Sequence, residues 1–133
     1  MRHLIGALLE ESATATVVDM EAGLEHLSRG TARSVDTLLV TLEPYYKSLE
    51  TARRSADLGR ELGIARVLGV ANKIRDEEEH AAIREFAAAH ALPLAADIPF
   101  DERVRKADLA GRAAIDEFES PAIKAIERLA ALL

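Results

Sequence analysis

Two spacings of apolar residues alternate along this chain: short unbroken runs, and positions three or four apart. Together they predict strands separated by helices. Ile5, Leu8 and Leu9 lie at helical spacing within Met1 to Glu11. A run rich in β-branched residues, Ala15 to Met20, reads as a buried strand that delivers Asp19 and Glu21 to its carboxyl end. The segment from Glu21 to Ser34 is polar and broken by Gly23 and Gly30, a composition suited to a functional loop. Asp36 to Glu43 predicts a second strand, stopped by Pro44, which has no backbone donor for a ladder.

Leu49, Ala52, Ala56, Gly59 and Leu62 then place a narrow, small-residue face on a helix from Tyr46 to Leu62, ended by Gly63. Ala65 to Ala71 predicts a third strand running into Asn72-Lys73-Ile74-Arg75, where Asn72-Lys73 suits a turn as well as a binding edge. Asp76 with Glu79 forms a capping-box pattern ahead of Ile83, Phe86 and Ala87, so a helix runs to about His90. Leu92 to Ile98 is the fourth predicted strand, leading into Pro99-Phe100-Asp101 and a loop or short helix around Val104 to Ala110. Ser120-Pro121 starts a terminal amphipathic helix carrying Ile123, Ile126, Leu129 and Leu133. About four mainly parallel strands and five helices on both faces of the sheet give a Rossmann-like, three-layer α/β sandwich.

At 133 residues the chain has the size of one domain, 1–133. With 17 basic and 23 acidic residues the formal charge is −6, which disfavours nonspecific attraction to nucleic acid or to an anionic membrane. There is no cysteine, so no disulfide, iron–sulfur cluster or thiolate metal site can form within the chain. No long apolar stretch or cleavable leader pattern is readable, and the expectation is a soluble, cytoplasmic protein.

The strand ends narrow the function. Val17-Val18-Asp19-Met20-Glu21-Ala22-Gly23-Leu24-Glu25-His26-Leu27, with Arg29-Gly30-Thr31, Asp36-Thr37-Leu38-Leu39-Val40, Glu43-Pro44, Asn72-Lys73 and Ile98-Pro99-Phe100-Asp101, occur in a familiar order. The set resembles the deviant-Walker P-loop ATPases of the MinD/ParA type, and most of all the nickel-insertion accessory ATPases of carbon monoxide dehydrogenase maturation. The resemblance covers most of this chain and the C-terminal half of a family member. It implies that Asp19 holds magnesium as the Walker B aspartate, because a hard cation bridging phosphates prefers carboxylate and water oxygens. It further implies that Glu21, Ala22 and Gly23 begin the phosphate-sensing switch. Asn72, with Lys73 beside it, would read adenine, and Pro99, Phe100 and Asp101 would close over the base.

One departure limits that reading. A P-loop needs a glycine-rich turn ending in Lys and Ser or Thr, whose backbone donors and ammonium cradle phosphates. None of the seven glycines here is followed by lysine. The Walker A strand, its lysines and the family's metal-binding Cys-x-Cys pair are therefore expected to be missing from a truncated, P-loop-less domain. The first expectation is a non-hydrolysing, degenerate relative that acts as a binding or regulatory partner, in the setting of metalloenzyme maturation. A second is one half of a split ATPase, in which ATP or ADP and magnesium bind once a Walker A-containing chain is supplied. A third is a flavodoxin-like phosphoacceptor or ligand-binding domain using Asp19. Removing a central strand would leave an open sheet edge, so self-association or such a partner chain is expected.

Other features have blander readings. Asp76 to Glu79 favours a helix dipole more than a bound cation, and His26 reads as an exposed side chain. Arg103, Arg105 and Lys106 suit a solvated face better than a phosphate site, and Tyr45-Tyr46 suits packing at a helix start.

Overall fold

The computed structural model describes residues 15–20, 34–117 and 119–133. Three strands, β1 (Thr37–Leu42), β2 (Arg66–Ile74) and β3 (Leu94–Pro99), form a sheet in that order, and both pairings are parallel. Helices α1 (Tyr46–Glu61), α2 (Glu77–Ala89) and α3 (Glu102–Leu109) follow the strands in turn. A single 3₁₀ turn, Ala114–Asp116, leads to α4 (Pro121–Ala130). The α/β class, the parallel sheet and the helices on both faces agree with the sequence reading.

Parallel strands must be joined by crossovers, and their two faces must both be covered. The chain achieves this with two apolar layers. Val40, Leu42, Val67 and Ala71 pack with Ala52 and Ala56 of α1 and with Ile83 and Ala87 of α2. Val70 and Ile98 pack on the opposite face with Ala122, Ala125 and Leu129 of α4. Neighbouring residues of β2 thus serve different layers, as a two-residue period requires. Small residues on the buried side of α1, Ala52, Ala56 and Gly59, bring its backbone close to the sheet.

The helix ends follow local chemistry. Asp76 Oδ1 accepts the Glu79 N–H at 2.8 Å, and Glu79 reaches back to accept the Arg75 N–H at 2.8 Å. Three glutamates, Glu77 to Glu79, occupy the first turn of α2, where they complement the helix dipole. Ser120 caps α4 with Pro121 in its first turn. Gly63 follows α1 with φ of +81°, a conformation open to glycine at little cost.

Several expectations need correction. Three strands, not four, are present among the described residues. Ala15 to Met20 is irregular, and only Met20 is even partly covered; Val17 is 87% exposed. A β-branched run becomes a strand only beside a partner, and β1, the nearest strand in sequence, pairs only with β2. The third predicted strand does not stop at Ala71: β2 carries on through Asn72 and Lys73 to Ile74. The last strand begins at Leu94 instead of Leu92, because Pro93 has no N–H and offers its carbonyl to Gly69 N (2.8 Å) from just before the strand. Tyr45 and Tyr46 do not pack at the start of α1; they are 55% and 80% exposed. The expected helix in Met1 to Glu11 and most of the polar segment after Met20 lie outside the described residues.

Gly69 shows how tightly the α1/α2 layer is built. A Cβ there would stand 2.8 Å from Leu94 Cδ2, 3.0 Å from Leu42 Cδ1 and 3.2 Å from Leu92 Cγ. Three leucines from different segments converge on the space a methyl would need. Gly69→Ala is expected to lower the unfolding free energy by about 1–3 kcal/mol through overpacking. In a urea titration the midpoint should fall with an unchanged slope; an unmoved midpoint would mean the leucines yield freely.

Candidate functional site

Ligands of open α/β sheets bind outside the carboxyl ends of the strands, and here those ends are physically tied together. Ala71 pairs with Asp97 and Ile74 with Pro99, so Asn72 and Lys73 of β2 oppose Ile98 alone. This two-against-one count is a β-bulge, a device that re-aims side chains and concentrates near binding sites. Past the bulge the strands stay joined, with Phe100 N–H donating to Ile74 O at 2.8 Å. Lys73 Nζ lies 2.8 Å from Glu43 Oε1, which links the bulge to the end of β1. Above the other strand end, the Arg75 guanidinium sits 4.7 Å from the centre of the Phe100 ring, a cation–π contact.

Asn72, Lys73, Pro99 and Phe100, all singled out in the sequence, are therefore neighbours in space. Asn72 is half-buried, and its amide makes no hydrogen bond to another described residue. Glu43 and Arg75, quoted in the sequence without a site role, join them. A carboxylate immediately after a strand was the available signal for Glu43, but the ion pair to a lysine thirty residues away is a product of strand order.

Asp101 has a different occupation. Its Oδ1 accepts the Arg103 N–H at 2.8 Å, capping α3, and its Oδ2 accepts the Ser120 hydroxyl at 2.6 Å. Ser120 is fully buried and also accepts the Ile123 N–H at 3.2 Å, capping α4. The Ser120 hydroxyl, followed by the Arg103 N–H, holds the Asp101 carboxyl below its ordinary value. The carboxylate thus fastens the loop after β3 to the start of α4. The basic residues nearby are also engaged in structure: Arg103 donates to Glu119 O (2.9 Å), and Arg105 pairs with Glu102.

The phosphate and metal side is not assembled among the described residues. Asp19 belongs to the exposed irregular segment and makes no hydrogen bond or ion pair to another described residue, so it is not presented from a strand end. That removes the geometric basis of the phosphoacceptor alternative. Glu21, Ala22, Gly23 and His26 lie outside the described residues. No group of three or more His, Cys, Asp or Glu side chains is placed to hold a metal among those described. Two hollows among the described residues lie elsewhere: one beside Ala87, Ala88, Leu92 and Pro93, the other between β3 and α4. Neither is lined by Asn72. No helix among the described residues is long and apolar enough to cross a membrane.

No family model matches the chain. It is 36% identical over all 133 residues to the carbon monoxide dehydrogenase accessory protein CooC of Rhodospirillum rubrum, covering 50% of that protein. It is 33% identical over 129 residues to an ATP-binding protein of Methanocaldococcus jannaschii, covering 49% of it. The chain spans about half the length of the curated relatives it matches. Among solved structures, the septum site-determining protein MinD of Pyrococcus horikoshii, complexed with Mg-ADP, superposes with a TM-score of 0.75 at 22% identity. The match covers 97% of this chain and 53% of that one. The ParA family ATPase of Chlorobium tepidum gives 0.67 at 21% identity, covering 83% and 47%. These likenesses place the sheet and its helices in the MinD/ParA fold.

Ser120→Ala removes a helix cap and the buried partner of Asp101 together. It is expected to destabilise the fold by about 1–2 kcal/mol. Because the folded-state pKa of Asp101 is lowered, its contribution is complete at neutral pH and is lost as pH falls through the carboxylate range. The gap between the urea midpoints of the parent and Ser120→Ala should therefore narrow from neutral to acid pH, down to the part owed to the cap on Ile123 N–H, which does not titrate. A gap that stays constant with pH would contradict the Asp101–Ser120 coupling.

Proposed function

We propose that this chain, a relative of the CooC and MinD/ParA-type ATP-binding proteins over about half their length, is the base-binding half of such a domain. One observation carries the reading: the bulged Asn72–Lys73 end of β2 stands against Pro99–Phe100, with the Asn72 amide uncommitted among the described residues. An adenine has both hydrogen-bond donors and acceptors on its edge and an apolar face; an amide with no partner among the described residues would serve the first, and the nearby Pro99–Phe100 stretch the second.

The phosphates need another supplier. Nothing in the chain matches a Gly-Lys-Ser or Gly-Lys-Thr loop. The outer edge of β1 is unpaired among the described residues, and Leu39, on the face away from α1, is 37% exposed. A strand added there would cover that edge and could offer a partner to Ala15–Met20, whose exposed Val17 and Val18 have none described. The relatives' unmatched half, which by the resemblance carries the Walker A loop, is the proposed source. Asp19 would then hold magnesium, Glu21 to Gly23 would sense the terminal phosphate, and Pro99 and Phe100 would frame the base, with Asp101 anchoring their loop. The partner is a Walker A-containing segment or chain, and the client of the completed ATPase is a metalloenzyme undergoing maturation, as the name of the Rhodospirillum relative suggests. A second reading, a nucleotide-face remnant that regulates without hydrolysis, draws on the same missing glycine-lysine loop.

Phosphate release from magnesium and ATP separates the two. The chain alone should match a buffer blank. Mixed with the unmatched half of the Rhodospirillum CooC it should turn over, and Asp19→Ala should abolish that turnover. Turnover by the chain alone would overturn the proposal; a silent mixture that still binds ATP would leave the regulatory remnant. In a calorimetric titration of the mixture, Asn72→Ala should weaken ATP binding about tenfold, the worth of one lost hydrogen-bonding amide.

A further inference from the structure

Two described non-glycine residues have left-handed backbone: Lys73 at φ 58° and Ala91 at φ 50°. Ala91 sits just past the end of α2, where helices commonly finish this way, and Arg60 holds its carbonyl at 2.8 Å. Lys73 has no such reason, since it lies inside β2, where extended backbone is the rule. Its conformation coincides with the bulge, and the bulge has a measurable effect on the strand. Val67 and Ala71 face the α1/α2 layer, so strict alternation would send Ile74 to the α4 side. Ile74 instead packs against the same layer as Ala71, three residues on. One extra residue has changed the phase of the strand.

We propose that Lys73 is a positioning residue: its left-handed backbone builds the bulge that sets the direction of the Asn72 amide and the phase of everything after it. Flattening the bulge would shift Ile74 out of its layer, move Arg75 from the Phe100 ring and turn Asn72. Its ion pair with Glu43 pins the bulge to β1, yet the lysine side chain is 56% exposed. A pair whose cation stands largely in solvent contributes little to stability, even with Glu43 half-buried, so stability alone does not favour lysine over glycine at this backbone angle. Strain kept at a ligand-facing edge is the mark of a residue retained for what it positions. The inference rests on the base-binding reading above and adds to it the element that fixes base selectivity.

Lys73→Gly and Lys73→Val test it. Glycine accepts left-handed φ freely, whereas a β-branched residue resists it. In the chain alone, Lys73→Gly should raise the melting temperature by about 3 °C. In the mixture with the Rhodospirillum CooC half, titrated with ATP and GTP, Lys73→Gly should keep the ATP affinity within about twofold and keep the preference for ATP. Lys73→Val should lose about tenfold in ATP affinity and lose the preference. Equal losses in both variants would assign the effect to the ammonium and overturn the proposal, as would a lower melting temperature for Lys73→Gly. A parent mixture that binds but whose Lys73→Val variant still prefers ATP overturns this inference alone. A parent mixture that binds neither nucleotide, or both alike, overturns it together with the base-binding reading.

Discussion

The described structure depends on β2 being central. It is the one strand with neighbours on both sides, and its residues alternate between two apolar layers. Every helix that packs on the sheet therefore packs against a surface that β2 helps to define. At Gly69 three leucines approach the same point of that strand, and a single methyl would crowd them. The extra residue at Asn72–Lys73 lets the strand satisfy one layer up to Ala71 and return to it at Ile74. Core packing and ligand geometry are thus set by the same backbone segment.

Contacts at the carboxyl edge divide into two kinds. Those at Asp101 and Ser120 are buried or half-buried, fully paired, and hold the loop after β3 to α4. Those at Lys73 and Arg75 leave the cation largely exposed, with Glu43 half-buried, so each contributes little stability and can be exchanged for a ligand contact at low cost. Rigid loop anchoring next to weakly committed side chains is the combination a binding ledge requires.

The two faces of the sheet are unequally covered. Helices α1 and α2 lie over β1 and β2, whereas α4 lies over β3 and reaches Val70. The far side of β1 is left with Leu39 exposed, and the apolar run Val17-Val18 lies in solvent. Among the described residues the outer edge of β1 and part of an apolar face are thus open, and the chain matches about half of each relative.

Local chemistry makes the helices legible in the order of residues alone: the small-residue stripe of α1, the Asp76–Glu79 box of α2, and Ser120-Pro121 ahead of α4. The succession of strands and the residues at their carboxyl ends are legible as well, since period and capping depend on neighbours within a few positions. Three matters are decided only in three dimensions. Whether Ala15–Met20 is a strand depends on a pairing partner, which no local pattern supplies. The bulge at Asn72–Lys73 arises from matching β2 to β3, so the same dipeptide reads as a turn when taken alone. Asp101 becomes an anchor because Ser120, nineteen residues later, is folded against it. In each case the deciding contact joins residues far apart in the chain, and such contacts exist only once the chain has closed on itself.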